Sequence, residues 1–405
     1  MGITRRQWLE LSALSLLGCA EGRRVSEPPR AKLHHDAGGG AVRAGLVDAA
    51  PDAGRAAAAG TGLDTLALER RFPALAGALP RLRLGMFPTP VERLEALGER
   101  VGVRELWLKR DDRAAVELGG SKVRKLELSL AAARAAGARH VLTFGGVGSN
   151  HALATAFYGK QVGLKVALFL LAERPSARVQ NVLRAMLSYD ATVNASHGSA
   201  EDVLRFSREH AGEKPWVIAA GGSSAIGDIG YVSAALELVE QIERGELPEP
   251  RTLVVAAGTA GTAAGIALGL RAAKLETRVV AVRTSSIPTL RRVRTLARSA
   301  AKVLAEHEPS FADVQLSNVH VEHRYIGAGY AIPTAAGERA LELAGEHELA
   351  LDETYTAKAF AALTGQSAKL ESPVLFWNTF DPRVPAGRKV ERDELPPALR
   401  GYWRG

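Results

Sequence analysis

The chain has 405 residues, 46% of them hydrophobic and 5% aromatic, enough for a large core in one or two domains. Its formal charge is +8, yet Lys/Arg and Asp/Glu alternate along the chain, so no nucleic-acid-binding face is indicated. No apolar run reaches the ~20 residues of a membrane span, and a single cysteine excludes disulfides within the chain and cysteine-based metal sites.

Residues 1–25 read as a targeting segment. ITRRQWLEL (3–11) places Arg5-Arg6 before an aromatic and a leucine, and SALSLLGC (12–19) is a short apolar stretch ending at Cys19. The pattern resembles a twin-arginine export signal joined to a lipobox, with Leu16-Leu17-Gly18-Cys19 at the cleavage point. It predicts an exported protein held at the cell envelope by a lipid on Cys19, with no other membrane attachment. Residues 26–63 are rich in Ala, Gly, Pro and charge, the composition of a disordered linker. His34-His35 falls in this linker and the other histidines lack ligand spacing, so no metal site is expected.

From residue 64 to the end, strand and helix patterns alternate, which predicts an α/β protein with mostly parallel sheets. WLKRDD (107–112) reads as a strand end running into a turn. Gly119-Gly120 follows, Ser121 is a candidate N-cap, and KVRKLELSLAAARAA is helix-forming, so Lys122 sits in the first helical turn. The helix dipole and the charges of Arg124 and Lys125 favour a neutral amine there, as a lysine that condenses with an aldehyde requires. Asp111-Asp112 are adjacent and suit turn capping or salt bridges to Arg110 or Arg124 better than paired acid–base work.

VLTFGG (141–146) reads as a buried strand, and Ser149-Asn150 opens the helix HALATAFYGKQVG. This second strand–turn–helix unit is expected to place its turn beside the first, at one carboxyl edge of a parallel sheet, where such sheets bind ligands. A third turn follows TLVVAAG (252–258). The amides of GTAGTAAG (258–265), with the hydroxyls of Thr259 and Thr262, suit a phosphate at a helix N-terminus. The loop is neither a Walker motif nor G-x-G-x-x-G. Further strands are read at LKVALFLLA, WVIAA, TRVVAV and PVLFW.

These motifs together resemble the D-cysteine desulfhydrase and aminocyclopropane-carboxylate deaminase family of pyridoxal-phosphate enzymes. The resemblance spans roughly residues 77–381 and includes FPTPVERL, LKRDD, GGSKVRKLE, GSNH, GGSSAIGDIGYV, AAGTAGTAAGIALGL, GAGYAIPTAAGERALEL, LDETYTAKAFAAL and PVLFWNTF. It implies the tryptophan synthase β-like fold (fold type II): two three-layer α/β/α domains, the smaller at about 126–228 inserted in a larger one at about 72–125 plus 229–400. It implies pyridoxal phosphate bonded to Lys122, with Gly258, Thr259, Ala260, Gly261 and Thr262 at its phosphate. Ser149, Asn150 and His151 fall where the family holds the substrate carboxylate and the cofactor's ring oxygen, and Tyr330 and Tyr355 match two active-site tyrosines.

The resemblance also implies that Thr356 or Thr379 meets the cofactor's pyridine nitrogen and, being neutral, leaves it largely unprotonated; both match the desulfhydrase, whereas the deaminase has a glutamate and a leucine at these places. The resemblance thus implies β-elimination from D-cysteine: Lys122 removes the α-proton, the thiol leaves, and the aminoacrylate hydrolyses to pyruvate and ammonia. Phe380-Asp381 replace the two glycines usual in the family and are expected to reshape the pocket or repel an anionic substrate. The alternatives are a cyclopropane-opening deaminase and a tethered, non-catalytic amino-acid-binding lipoprotein. A homodimer is the expected assembly.

Overall fold

A computed structural model of the protein describes residues 65–196 and 200–403. The segments read as export signal and linker, with Cys19, lie outside the described residues. Among the described residues ten strands form two sheets: β1 Val91–Arg93, β2 Leu106–Arg110, β3 His140–Gly146, β4 Lys165–Leu171, β5 Thr192–Ala195, β6 Trp216–Val217, β7 Thr252–Ala257, β8 Arg278–Arg283, β9 Val319–Glu322 and β10 Val374–Asn378. The six-stranded sheet runs β1-β2-β10-β7-β8-β9 and the four-stranded sheet runs β5-β4-β3-β6. All pairings are parallel except that of β1 with β2.

The helices that frame the site are α1 Lys122–Ala135, α2 Asn150–Gln161, α3 Ala177–Ser188, α4 Ala200–Glu209, α5 Ala225–Glu243, α6 Gly261–Ala272, α7 Leu290–Ala305 and α8 Thr356–Thr364. The sheets are buried on both faces, which is why their strands read as continuous apolar runs and not as alternation. Along β7, Leu253 and Val255 meet α5, α6 and α7, while Val254 and Ala256 meet α8. In the smaller sheet, Val166 and Leu168 face α1, α2 and α3, while Ala167 and Phe169 face Val203 and Phe206 of α4. Each sheet is therefore the middle of three layers. Residues 384–403 run back to the smaller sheet, where Leu395 and Leu399 join its core.

The structure corrects one expectation. The turns after β2 and β3 do not share a sheet edge: β2 pairs with β1 and β10, and β3 with β4 and β6. Helix α1 carries the chain from one sheet to the other, packing against α5 and α2. The two turns consequently face each other across the space between the sheets.

Candidate functional site

A cavity of about 280 Å³ opens between the sheets at the carboxyl ends of β2, β3, β4, β7 and β10. Lys122, Ser149, Asn150, His151, Gly258, Thr259, Ala260, Thr262, Tyr330, Tyr355 and Thr379 all line it. Two residues expected there do not. Gly261 turns the side of its Cα away from the cavity, where a Cβ would come within 2.0 Å of Asp228 and 2.4 Å of the Ser223 hydroxyl, so only its backbone amide is left to meet a ligand. Thr356 is buried beneath Asp352: its hydroxyl donates to Asp352 Oδ1 at 2.7 Å and accepts the Asp352 N–H at 2.7 Å. Asp352 occupies the cleft wall in its place.

The loop that delivers Lys122 is fastened from β10. Asp381 accepts the Gly119 N–H at 2.6 Å and pairs with Arg383 at 2.7 Å, and the Ser121 N–H donates to the Thr379 carbonyl at 3.1 Å. Gly120 has φ +81°, and a Cβ there would lie 2.8 Å from the Thr379 oxygen, so only glycine fits this approach. Asp381 is thus a partnered structural carboxylate, contrary to the expectation that it would repel substrate.

Ser121 stands at the N-cap of α1 with helical backbone angles and makes no capping bond. Its hydroxyl instead accepts from Lys122 Nζ at 2.7 Å. Removal from water, reinforced by Lys125 and partly offset by Asp352 and Asp228, lowers the Lys122 amine to about 7. Arg124, expected to help, turns away: two residues on, it points to the other side of the helix and binds Asp111 and Glu237, both at 2.9 Å. Arg110 pairs with Asp112 at 2.7 Å.

Opposite Lys122, Ser149 caps α2 by accepting the Ala152 N–H at 3.2 Å, and a hydroxyl in that role keeps a proton to donate. Asn150 Oδ1 accepts from Arg178. The His151 ring is buried and bonded to Thr143 at 2.8 Å; burial, with Lys122 and Lys125 nearby, holds it well below the usual histidine range and hence neutral.

At the third wall, Ala260 takes a left-handed conformation, φ +76°, and α6 begins at Gly261 with no side-chain cap. The first helical bond runs from the Ala264 N–H to Ala260, so the amides of 261–263 have no acceptor within the helix. Thr259 is joined to Ser223 at 2.6 Å, and Ser223 to Lys125 Nζ at 3.0 Å, whose counter-ion is buried Asp228 at 3.1 Å. The fourth wall holds Tyr330 and Tyr355, their hydroxyls 2.8 Å apart and both pushed up by burial, hence protonated.

Sequence reasoning gave no role to Ser223, Asp228, Glu173, Arg178 or Asp352, and gave Lys125 only that of a like charge beside Lys122. GGSSAIGDIGYV, which contains Ser223 and Asp228, was a signal without a partner. Glu173 and Arg178 carried only their position after a strand, the edge at which such sheets take ligands.

Residues 82–379 match the family described as "Pyridoxal-phosphate dependent enzyme". The chain is 35% identical over 319 residues to the D-cysteine desulfhydrase of Salmonella typhi, covering 74% of this chain and 93% of that protein; the same values hold for the Salmonella newport (strain SL254) protein. Among solved structures, one described as an "ACC deaminase homologue" superposes with a TM-score of 0.67 at 28% identity, covering 77% of this chain and 95% of the other. A maize serine racemase, at 20% identity and a TM-score of 0.50 over 79% of this chain and 92% of the other, shares the fold.

Proposed function

Given that the chain belongs to the pyridoxal-phosphate-dependent enzymes, we propose that its cleft eliminates a β-substituent from a small amino acid, releasing pyruvate, ammonia and sulfide from D-cysteine. The observation that carries this is the amine of Lys122, lowered to about 7 and facing an uncapped helix N-terminus across one cavity.

The residues fit the cofactor. The free amides at the start of α6, the Thr259 and Thr262 hydroxyls and the Lys125 ammonium behind them suit a phosphate dianion. Lys122 would hold the aldehyde carbon, Asn150 and Thr379 the ring. Bound pyridoxal phosphate supplies the electron sink that makes the substrate's α-proton acidic.

The protein's own groups do the rest. Ser149 and the amides opening α2 bind the substrate carboxylate. Lys122, as a neutral amine, takes the α-proton. Tyr330 and Tyr355, both protonated, donate to the departing thiolate. Since Thr356 lies outside the cleft, the leaning to desulfhydrase over cyclopropane opening rests on Thr379 and on the 35% identity to the D-cysteine enzymes.

The test is an assay of the purified holoenzyme. Pyruvate and sulfide should form from D-cysteine, and aminocyclopropane carboxylate should remain intact. Ketobutyrate from the cyclopropane substrate without pyruvate from D-cysteine overturns the reading.

Export and lipid attachment belong to the same proposal, on the strength of Arg5-Arg6 and Leu16-Leu17-Gly18-Cys19. Fractionation checks it: lysine at both arginines should strand the protein in the cytoplasm, and Cys19→Ala should free it from membranes. A homodimer is supported by exposed Met86 and Val116, 60% and 69% accessible, which the bond from the Met86 N–H to the Ala114 carbonyl brings into one neighbourhood.

A further inference from the structure

Arg178 has no part in the reaction just described, yet it lines the cavity. It is the second residue of α3, with its guanidinium 5.0 Å from the ring centre of buried Phe380 and donating to Asn150 Oδ1. The other arginine and the second lysine at this site are neutralised: Arg383 by Asp381 at 2.7 Å and Lys125 by Asp228 at 3.1 Å. Among the described residues no carboxylate lies within ion-pair distance of Arg178. Glu173 shares its wall but accepts the Gly148 N–H at 2.9 Å; burial pushes its carboxyl up, against smaller downward pulls from Gly148, Tyr330 and Arg178.

The segment from β4 into α3 is also braced. The Tyr402 hydroxyl accepts the Glu173 N–H at 2.8 Å and donates to the Glu173 carbonyl at 2.6 Å, and Trp403 lies 4.2 Å from the Arg184 guanidinium. A half-buried cation with no carboxylate in ion-pair contact, held over the Phe380 ring at the start of α3, is a site that gains free energy from an incoming anion. Its planar fork matches two oxygens of a carboxylate, sulfate or phosphate.

We propose that Arg178 selects amino acids whose β-substituent is itself an anionic oxyacid group. This rests on the β-elimination reading. Lys122 takes the α-proton, the Cβ–O bond breaks, and its electron pair leaves with sulfate or phosphate. The new carbon–carbon double bond is consumed when water displaces nitrogen, giving pyruvate and ammonium. Arg178 holds the substituent before and as it departs.

The test compares holoenzyme kcat/KM for serine O-sulfate and O-phosphoserine with that for neutral β-chloroalanine, each in both enantiomers. The wild type should favour the anionic substrates at least ~10-fold, and Arg178→Met should lower the anionic-to-neutral ratio by roughly 10–100-fold through KM, with Arg178→Lys restoring part of it. A ratio unmoved by Arg178→Met overturns the proposal, as would a guanidinium that serves the α-carboxylate or acts only through Asn150. Should no substrate yield pyruvate, the elimination reading fails. Calorimetric titration with O-phosphoserine then still decides the role of Arg178: binding lost in Arg178→Met supports it, and binding absent or unchanged overturns it.

Discussion

Lys122 and Arg124 stand two residues apart at the start of α1 and inhabit opposite electrostatic worlds. Arg124 enters a buried network with Asp111, Glu237, Lys109, Thr89 and Tyr231 in which each cation has carboxylate partners. Burial alone would raise the Glu237 carboxyl, but Arg124 and Lys109 outweigh it and hold it at about 2. Lys122 faces the cleft, and its one hydrogen bond among the described residues is to a neutral hydroxyl. Both regions are stripped of water. Burial lowers the amines of both Lys109 and Lys122, so the difference lies in what each meets: Lys109 is locked to Glu237 as structure, while Lys122 has no carboxylate in contact and faces the cleft, free to act as a nucleophile or base.

Three substitutions probe that contrast, from the largest effect to the smallest. Lys122→Ala should lower kcat by roughly 10²–10⁴-fold while the melting temperature of the apoprotein does not fall, since the amine serves chemistry and not packing. Near-normal turnover would merge the two regions into one.

Glu237→Gln should do the reverse, destabilising the fold by about 3–5 kcal/mol in urea titrations because it strands Arg124 and Lys109 as buried charges. Its pH dependence follows from the lowered carboxyl. In the wild type this stabilisation is complete above the unfolded value near 4.5 and fades as pH falls through about 2. The variant should lack that component of acid unfolding.

The third effect is the mildest and has the opposite sign. Lys122 binds its proton less tightly when folded, so its burial costs the apoprotein stability below pH 7, and the cost fades as pH rises toward the unfolded value of 10.5. Lys122→Met should raise the apoprotein's melting temperature at neutral pH and converge with the wild type near pH 10.5. A gain that grows with pH would contradict the assignment.

Much of this was legible in the sequence because it is local. Lys122, Ser149, Asn150 and the 258–262 loop each sit where a strand gives way to a helix, and turn residues announce that junction within a few positions. The central strands were visible as short apolar runs, but β1, β5 and β9 are three or four residues long with polar members, and carry no such signal. Thr356 was misplaced because Asp352, four residues earlier, draws it away from the cleft, a rotation that sequence order does not reveal. Arg178 and Glu173 owe their setting to Tyr402, 229 positions beyond Glu173, and to Phe380. Asp381 looked like an intruding charge because its partners, the Gly119 amide and Arg383, become apparent only once β10 lies against the α1 loop.

The central claim is that a buried lysine facing the cleft with no carboxylate in contact is the reactive one; Lys358, also buried and without an ion pair among the described residues, is held outside the cleft by the carbonyls of Ile326 and Gly329. Borohydride reduction of the holoenzyme followed by peptide mapping tests it directly, since Lys109, Lys122 and Lys125 lie within seventeen residues of one another. The pyridoxyl group should appear on Lys122 alone, with Lys109, paired to Glu237, and Lys125, paired to Asp228, unlabelled. A label on Lys125, or on Lys109, would contradict the account.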